Sequence, residues 1–403
     1  MHSLTTQCCI SGGGPAGLML GYLLARQGVD VVVLEKHPDF LRDFRGDTVH
    51  PSTLELFHEL GLLEGLLARP HQKTDRISVM ISGDRLQIAD FSKLPTHCKF
   101  IAMMPQWDFL DYLADEARSY PNFQLLMSTQ TDALIEQNGC VVGVSATTTD
   151  GPIEVRSELV VVADGRGSQL RDMSGLVVED LGAPIDVFWM RLPRRPDDST
   201  ESLAHINSNG FLVLINRGDY WQCALPFPKG RAEEIRAEGI VEFSARISRI
   251  APALTEAAQA LKYWNDVKLL TVQVNRLTRW WREGLLCIGD AAHAMSPIGG
   301  VGINLAIQDA VAAGRILGTA LKAGTVTTDQ LAAVQKRRAW PSRMTQRAQI
   351  AAHDRVLIPV LTANENLRAP FVLKVFNSVP ALRGLPARAI GLGLRPEHWR
   401  NVP

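Results

Sequence analysis

Residues 7–35 read QCCISGGGPAGLMLGYLLARQGVDVVVLE, and this stretch decides the fold. The apolar run at 7–11 is typical of a buried strand, and residues 18–27 are typical of a helix that stops at Gly28. Residues 29–34 then predict a second buried strand. Two such strands around a helix form a βαβ unit, so we predict that the chain begins with an α/β domain.

The turn between the first strand and the helix carries the pattern Gly12-x-Gly14-x-x-Gly17, and Glu35 follows at the end of the second strand. Glycines at this spacing permit a tight turn and a close approach of a pyrophosphate, which the N–H groups and dipole of the helix attract. A carboxylate at the position of Glu35 can accept hydrogen bonds from a ribose. The pattern predicts a dinucleotide site, and the chain has no second fingerprint of this kind for a nicotinamide cofactor.

Two later motifs extend this pattern. Residues 160–168 read VVVADGRGS, and residues 289–297 read GDAAHAMSP, followed by GGVGIN at 299–304. In this order the three motifs resemble those of the single-component flavin monooxygenases with the p-hydroxybenzoate hydroxylase fold. The resemblance covers roughly residues 5–330, and the lobe between the second and third motifs matches only in kind.

The resemblance implies an α/β fold whose FAD-binding domain is Rossmann-like, of the GR2 type, with a β-meander. Hairpin signals at Asn138-Gly139 and Asp150-Gly151 agree with the meander. We expect four segments: the first part of the FAD-binding domain (1–176), a sheet-rich substrate lobe (177–276), the return of the FAD-binding domain (277–330) and a basic helical C-terminal segment (331–403).

The same resemblance implies which residues contact FAD. They are Gly12, Gly14, Pro15, Ala16, Gly17, Glu35, Lys36, Arg45, Gln106, Thr131, Asp164, Gly289, Asp290, Pro297, Gly300, Val301, Gly302, Ile303 and Asn304. An acid that ends a buried strand, as Asp290 does, can hold the hydroxyls of the ribityl chain. A helix that begins near Asn304 would point its positive end at the pyrimidine edge of the flavin.

Several of these residues also have a structural interpretation. Arg45 fits a surface salt bridge, Gln106 a helix cap and Asp164 an acid that orders a loop. Thr131 falls where the family makes a backbone contact to adenine. His293, after the third motif, is interpreted as structural.

The family chemistry needs NADH or NADPH as a transient electron donor, O2 and no metal. In the family, oxygen is transferred through a flavin C4a-hydroperoxide, and the substrate is a small aromatic or polycyclic molecule. The pocket is expected between the flavin and the sheet-rich lobe. Candidate substrate residues are His50, Arg191, Phe211, Val213, Tyr220 and Gln222. Alternation separates Tyr220 and Gln222 from Trp221 and Cys223 but leaves open which face meets substrate, and His50 could instead pack before a helix.

Composition excludes other classes of protein. The 403 residues include 42 basic and 42 acidic ones, and 46% are hydrophobic, which disfavours intrinsic disorder and a general nucleic-acid binder. Six cysteines without a CxxC pattern disfavour a zinc site and suit a reducing compartment. There is no secretory signal pattern and no apolar run of about 18 residues, so we expect a cytoplasmic protein without integral membrane segments.

Other classes of flavoprotein share this scaffold. A halogenase would carry Trp-x-Trp-x-Ile-Pro, and a disulfide oxidoreductase would carry CxxxxC near the flavin; neither pattern occurs. A reductase of the geranylgeranyl-reductase type and a non-catalytic flavin-binding sensor stay open.

The neutral balance conceals an uneven distribution of charge. From Lys336 onward the chain has twelve basic and three acidic residues. We expect this tail to dock onto the acidic body or onto a second subunit of a homodimer, with an anionic membrane surface as the weaker alternative.

Overall fold

The computed structural model of the chain describes residues 2–41, 48–198, 201–362 and 371–400. Its strands are β1 (His2–Ser11), β2 (Val31–Leu34), β3 (Thr48–Val49), β4 (Gln72–Thr74), β5 (Arg76–Ile81), β6 (Asp84–Asp90), β7 (Ile101–Met103), β8 (Phe123–Leu126), β9 (Gln130–Gln137), β10 (Cys140–Thr148), β11 (Gly151–Val162), β12 (Val178–Asp180), β13 (Ile185–Pro193), β14 (Leu203–Asn207), β15 (Gly210–Asn216), β16 (Tyr220–Pro228), β17 (Val267–Leu270), β18 (Asn275–Leu277), β19 (Trp281–Arg282) and β20 (Leu285–Cys287).

The α-helices are α1 (Pro15–Arg26), α2 (Pro51–Leu60), α3 (Leu63–Leu67), α4 (Gln106–Arg118), α5 (Gln169–Met173), α6 (Ala232–Ala237), α7 (Ile240–Ile250), α8 (Thr255–Ala258), α9 (Gly302–Ala323), α10 (Thr328–Ala352), α11 (Ile358–Thr362), α12 (Phe371–Ser378) and α13 (Gly384–Gly391). A π-helical turn, His353–Leu357, joins α10 to α11.

The first sheet contains the predicted βαβ unit. Its described strands follow the order β19-β20-β11-β1-β2-β8, and β10 and β9 continue from β11. β1 lies between β11 and β2 and is parallel to both, whereas β9, β10 and β11 form an antiparallel meander. The βαβ unit and the meander are confirmed, and the long strand β11 joins them, because it belongs to the meander and pairs with β1.

Helices α1, α4 and α9 pack together on this sheet. Every residue of α1 from Ala16 to Ala25 is buried, as expected for a helix that is apolar on all sides. The largest core of the protein therefore lies under the glycine-rich turn and holds it rigidly.

Some element bounds differ from the sequence prediction. α1 begins at Pro15, because proline has a φ suited to the first helical position. The apolar periodicity of the sequence predicts one helix over 52–67 and another over 231–250. In the structure each is divided, at Gly61 and at Gly239. In the tail the sequence alternates helix-like segments with prolines, yet α10 continues through Pro341.

The second sheet has the described order β17-β13-β16-β15-β14-β5-β6. Its strands are antiparallel neighbours except β14 and β5, which are parallel. The sequence predicts paired strands around Gly83-Asp84, within the expected first part of the FAD-binding domain. In the structure these strands, β5 and β6, extend the second sheet instead. Val79 and Leu86 pack there against Ile206, which supplies the apolar contact that a hairpin needs.

The basic tail docks onto the body of its own chain. Arg338 pairs with Asp309 of α9, and Arg400 pairs with Glu59 of α2 at 2.7 Å. Trp399 is buried in the core of the first sheet. In the described part of the tail, docking within the chain is therefore what the structure shows.

Candidate functional site

The glycine-rich turn joins β1 to α1. Gly12 has a φ of 107°, and a Cβ atom there would lie 2.5 Å from the carbonyl oxygen of Ala163. The conformation and the close approach of the chain after β11 therefore both require glycine. At Gly14, by contrast, a Cβ would meet no atom within 4 Å, so the space in front of this residue is open.

The N-terminus of α1 faces this open space. Gly14 is the N-cap residue, no side chain caps the helix, and Pro15 has no N–H group. The amides of Ala16 and Gly17 stand in the first turn, where N–H groups lack an intrahelical acceptor. Together with the helix dipole, they form an anion site suited to a pyrophosphate.

Glu35 follows β2 and is buried beside the turn. Its two carboxylate oxygens accept hydrogen bonds from the backbone N–H groups of Gly13, at 3.0 Å, and His37, at 3.1 Å. A carboxylate at the end of the second strand of such a unit is the group that accepts from a ribose hydroxyl. Lys36 is exposed next to it.

Thr131 of β9 lies on the other side of the turn. Its hydroxyl shares a hydrogen bond with that of Ser11, the last residue of β1, at 2.8 Å. Thr131 is thereby fixed beside the glycine-rich turn.

Asp164 follows β11, and its Oδ1 atom is buried without a hydrogen-bond partner among the described residues. Burial raises the pKa of Asp164 to about 6, against the opposing effects of a hydrogen bond from Ser168 and of the charges of Arg171 and Lys36. An acceptor that is already desolvated can bind a ligand donor without a further cost of dehydration.

Asp290 is joined to the second motif by an ion pair. A guanidinium nitrogen of Arg166 lies 3.2 Å from Asp290 Oδ2, and about a third of each side chain is exposed. Arg166 was not predicted from the sequence. It orients Asp290 while leaving part of the carboxylate accessible.

A buried ionic network lies beneath the third motif. Asp309 accepts from the Gly289 N–H, pairs with His293 Nε2 at 2.6 Å and receives Arg338 Nε at 3.0 Å. Burial alone would raise the pKa of Asp309, but His293 and Arg338 hold it below its usual value. The structural interpretation of His293 agrees with this geometry.

Residues 294–300 follow Gly289-Asp290 of the third motif and lead into α9; they are called the GD loop. The Thr48 hydroxyl donates to the carbonyl of Gly300, and the Asn304 side chain accepts from His50 N and Thr53 Oγ1. Asn304 also donates to the Gly300 carbonyl. The side chain of Asn304, a predicted FAD contact, is thus hydrogen-bonded to protein groups and connects the GD loop to the start of α2.

The N-terminus of α9 offers a second open position. The helix begins at Gly302, its N-cap Val301 provides no side-chain cap, and a Cβ at Gly302 would meet no atom within 4 Å. Pro297 lies just before this turn and Ile303 just after it. The positive end of the helix dipole is thereby available to a group that carries negative charge.

Three other predicted residues lie around these elements. Gln106 is the first residue of α4. His50 precedes α2, is fully buried and contacts the Ile390 carbonyl through Nδ1 at 2.8 Å. Burial lowers the pKa of His50 to about 4, and its Nε2 has no partner among the described residues. Arg45 lies outside the described residues.

The second sheet has two different faces. Helices α6–α8 cover the face that carries Phe188, Trp221 and Cys223. The opposite face carries Trp189, Val213 and Ala224, which pair across neighbouring strands. This second face meets the GD loop at Ile298 and the tail at Leu357. By strand alternation the five predicted substrate residues of this lobe share it: Arg191, Phe211, Val213, Tyr220 and Gln222.

The polar part of this face is organised by internal contacts. Gln222 is buried and accepts a hydrogen bond from Arg217 Nε at 3.0 Å. The Arg191 guanidinium lies over the Tyr220 ring, 4.9 Å from its centroid. The Nε1 atom of Trp189 is buried and has no hydrogen-bond partner among the described residues, a feature that strand periodicity alone does not reveal.

The residues present fit FAD. Two uncapped helix N-termini, open space at Gly14 and Gly302, and the carboxylates of Glu35 and Asp290 match the charges and hydroxyls of a flavin dinucleotide. Within the described ranges, no group of three or more His, Cys, Asp or Glu side chains is placed to hold a metal ion. No helix of the described residues is long and apolar enough to cross a membrane.

Comparisons with known proteins agree with this geometry. A family profile described as "FAD binding domain" matches residues 5–348. The 6-methylpretetramide 4-monooxygenase of Streptomyces rimosus is 32% identical over 385 residues, which are 95% of this chain and 91% of that protein. The 12-dehydrotetracycline 5-monooxygenase/anhydrotetracycline 6-monooxygenase of Streptomyces rimosus subsp. rimosus is 30% identical over 338 residues, 80% of this chain and 64% of that longer protein. The solved structure of OxyS anhydrotetracycline hydroxylase from Streptomyces rimosus has a TM-score of 0.78 and 25% identity, and the match covers 98% of this chain and 77% of that chain.

Proposed function

Since the chain belongs to this family of FAD-binding proteins and is an FAD-dependent aromatic monooxygenase, we propose that it uses NADH or NADPH and O2 to hydroxylate a planar, fused-ring aromatic compound. The observation that carries the substrate class is the apolar face of the second sheet. Trp189, Ala224 and Val213 form a row across it beside Ile298 of the GD loop, which suits a flat apolar molecule.

The names of the relatives support a fused-ring substrate. A 6-methylpretetramide and an anhydrotetracycline monooxygenase are similar to this chain across most of its length. The polar end of the same face, with Arg191 over Tyr220 and Arg217 bonded to Gln222, would bind oxygen substituents of the substrate.

When bound, FAD would supply the redox chemistry: one atom of O2 enters the hydroxylated product, and the other is reduced to water by two electrons from the nicotinamide together with two protons. The chain binds and orients the groups around it. The amides of Ala16 and Gly17 would hold the pyrophosphate, and Glu35 would hold the ribose. Asp290, oriented by Arg166, would accept from the ribityl hydroxyls.

The tail contributes by excluding water from the sheet face. Leu357 and Ile358 cover this face beside Ile298, and Ala387 covers its other end beside Ile215. A dry site favours productive transfer of oxygen over release of hydrogen peroxide.

The proposal is tested with purified FAD-loaded protein, NADH or NADPH, and anhydrotetracycline as the fused-ring probe, beside a single-ring phenol. We expect fused-ring compounds to accelerate nicotinamide oxidation and to gain one oxygen atom, labelled when 18O2 is used. Product that gains hydrogen without uptake of O2 would instead support the reductase alternative. Flavin that no nicotinamide reduces, with or without these compounds, would overturn the proposal and favour a binding protein.

A further inference from the structure

The end of α10 presents polar side chains to the GD loop. Gln346, Gln349 and His353 are spaced by three and four residues, so they lie on one face of the helix. Their exposed fractions are 0%, 5% and 0%. Burying three polar side chains side by side costs folding free energy unless they make hydrogen bonds, so we expect each of them to have a hydrogen-bond partner.

Their partners are backbone groups of the GD loop. Gln346 Nε2 donates to the carbonyl of Ala294 at 3.0 Å, and Gln349 Nε2 donates to the carbonyls of Ser296 and Ile298, both at 3.0 Å. Alternate carbonyls of the loop are therefore bonded from the helix in the way that a neighbouring strand would bond them.

His353 reaches the same loop through a side chain. Its Nε2 lies 2.8 Å from Ser296 Oγ, and Ser296 Oγ accepts the N–H group of Ile298 at 3.3 Å. Ser296 is 1% exposed, so water cannot replace His353 without rearrangement of the loop. The hydroxyl thus connects the helix to the residue that meets the sheet face.

The π-helical turn explains how one helix serves both regions. It begins at His353 and ends at Leu357, whose side chain packs on the second sheet with Val187 and Ala224. A π turn widens the helix and changes the direction of the side chains that follow it. Gln346, Gln349 and His353 therefore face the GD loop, while Leu357 at the end of the turn and Ile358 after it pack on the second sheet.

We infer that Gln349 and His353 are positioning residues for the FAD site, acting through the backbone and hydroxyl of the GD loop. Both lie beyond residue 348, where the family match ends, so the tail completes the site that the family domain begins. Because the GD loop sets where α9 starts, these contacts set the position of its open N-terminus at Gly302.

The test measures FAD binding by the full-length protein. Gln349→Leu and His353→Leu are titrated with FAD after removal of bound flavin, and visible circular dichroism of the loaded proteins reports the surroundings of the ring. We expect the Kd for FAD to rise about tenfold, equivalent to about 1.4 kcal/mol, with a changed dichroism spectrum. His353→Gln, which retains a donor for Ser296, should recover much of the loss.

The matched control is Gln335→Leu. Gln335 lies on the same helix and bonds the backbone of Thr278 and Trp280 rather than the GD loop. This control should lower the melting temperature of the flavin-free protein to a similar degree while changing the Kd for FAD less than twofold.

A double variant examines the path from His353 through Ser296. If His353 acts through that hydroxyl, Ser296→Ala combined with His353→Leu should weaken FAD binding no more than His353→Leu alone. Unchanged Kd and dichroism in both leucine variants would overturn the inference. Fully additive effects of Ser296→Ala and His353→Leu on the Kd for FAD would overturn the pathway through Ser296. If Gln349→Leu does not fold, Gln349→Asn, which is too short to reach both carbonyls, replaces it. Because no substrate or nicotinamide is used, failure here is distinct from failure of the proposed reaction.

Discussion

Two alanine substitutions in the glycine-rich turn should have different effects: one should lower the stability of the fold, and the other should lower the affinity for FAD. Gly12→Ala places a methyl group 2.5 Å from the Ala163 carbonyl oxygen at a φ of 107°. Gly14→Ala places the same group where no atom lies within 4 Å, at a φ of −78° that alanine adopts freely. The two changes are chemically identical and only two residues apart.

Their expected magnitudes follow from the geometry. Positive φ costs an L-residue roughly 1–2 kcal/mol and overpacking adds about 1–3 kcal/mol, so Gly12→Ala should lose roughly 2–5 kcal/mol of folding free energy. Gly14→Ala replaces a favourable N-cap residue, which lowers stability, but it also restricts the unfolded chain, which raises stability. The two effects on the free energy of unfolding offset each other to within about 1 kcal/mol. Its methyl group enters the space assigned to the pyrophosphate, where a clash of about 1–3 kcal/mol weakens FAD binding roughly 5- to 150-fold.

The assay is a guanidinium titration of the flavin-free proteins together with FAD titration of the same samples. Gly14→Ala should unfold like the parent protein but bind FAD weakly, and Gly12→Ala should unfold at lower denaturant. Parent-like FAD affinity in Gly14→Ala would refute the placement of the pyrophosphate in front of α1. Equal loss of stability in both variants would refute the argument from open space.

Three further changes test the buried charges and the substrate face. Arg338→Met should destabilise the protein by about 3–5 kcal/mol, because the buried carboxylate of Asp309 loses its guanidinium partner. Adding Asp309→Asn should recover part of this loss in a thermal unfolding assay. If the double variant recovers no stability, the loss does not come from the unpaired charge. Because burial raises the pKa of Asp164 to about 6, its ionisation reduces the stability of the folded protein as pH rises from about 4 to 6. Asp164→Asn should therefore match the parent protein near pH 4 and exceed it by about 2–3 kcal/mol above pH 6. A difference independent of pH would rule out that ionisation as the cause. Trp189→Ala should raise KM for a fused-ring substrate about tenfold at unchanged Kd for FAD, measured by steady-state kinetics and FAD titration; an unchanged KM would remove Trp189 from the substrate face.

The local parts of the structure were predictable from the sequence. The glycine-rich turn, α1 and β2 lie within thirty residues, and their periodicity and glycine spacing specify them with little help from the rest of the chain. The meander was equally accessible, because Asn138-Gly139 and Asp150-Gly151 mark its turns directly.

The distant pairings were not predictable in this way. The hairpin of β5 and β6 was expected, but its partner β14 lies more than a hundred residues later, and nothing local distinguishes one apolar sheet edge from another. Alternation divided β16 into two faces, yet only the packing of α6–α8 on Trp221 decides which face these helices leave uncovered.

The role of the tail was the least accessible part of the site. Its charge predicted docking, whereas the residues that act on the GD loop are the uncharged Gln349 and the buried His353. A glutamine on a helix is ordinarily a surface residue, and only the position of the loop carbonyls gives it another role. The carboxylate of Asp309 within the apolar run of α9 was a stronger signal, because buried acids require cations.

The arrangement of β1 and α10 has a consequence for biosynthesis. β1 is made first, but its neighbour β11 begins at residue 151, and the helix that braces the GD loop ends near residue 353. At about 5–20 residues per second, a ribosome needs roughly 20–70 s to supply all of these parts. A nascent chain therefore presents the glycine-rich turn long before it can close around a flavin, and stable loading of the cofactor has to wait until α10 has been made.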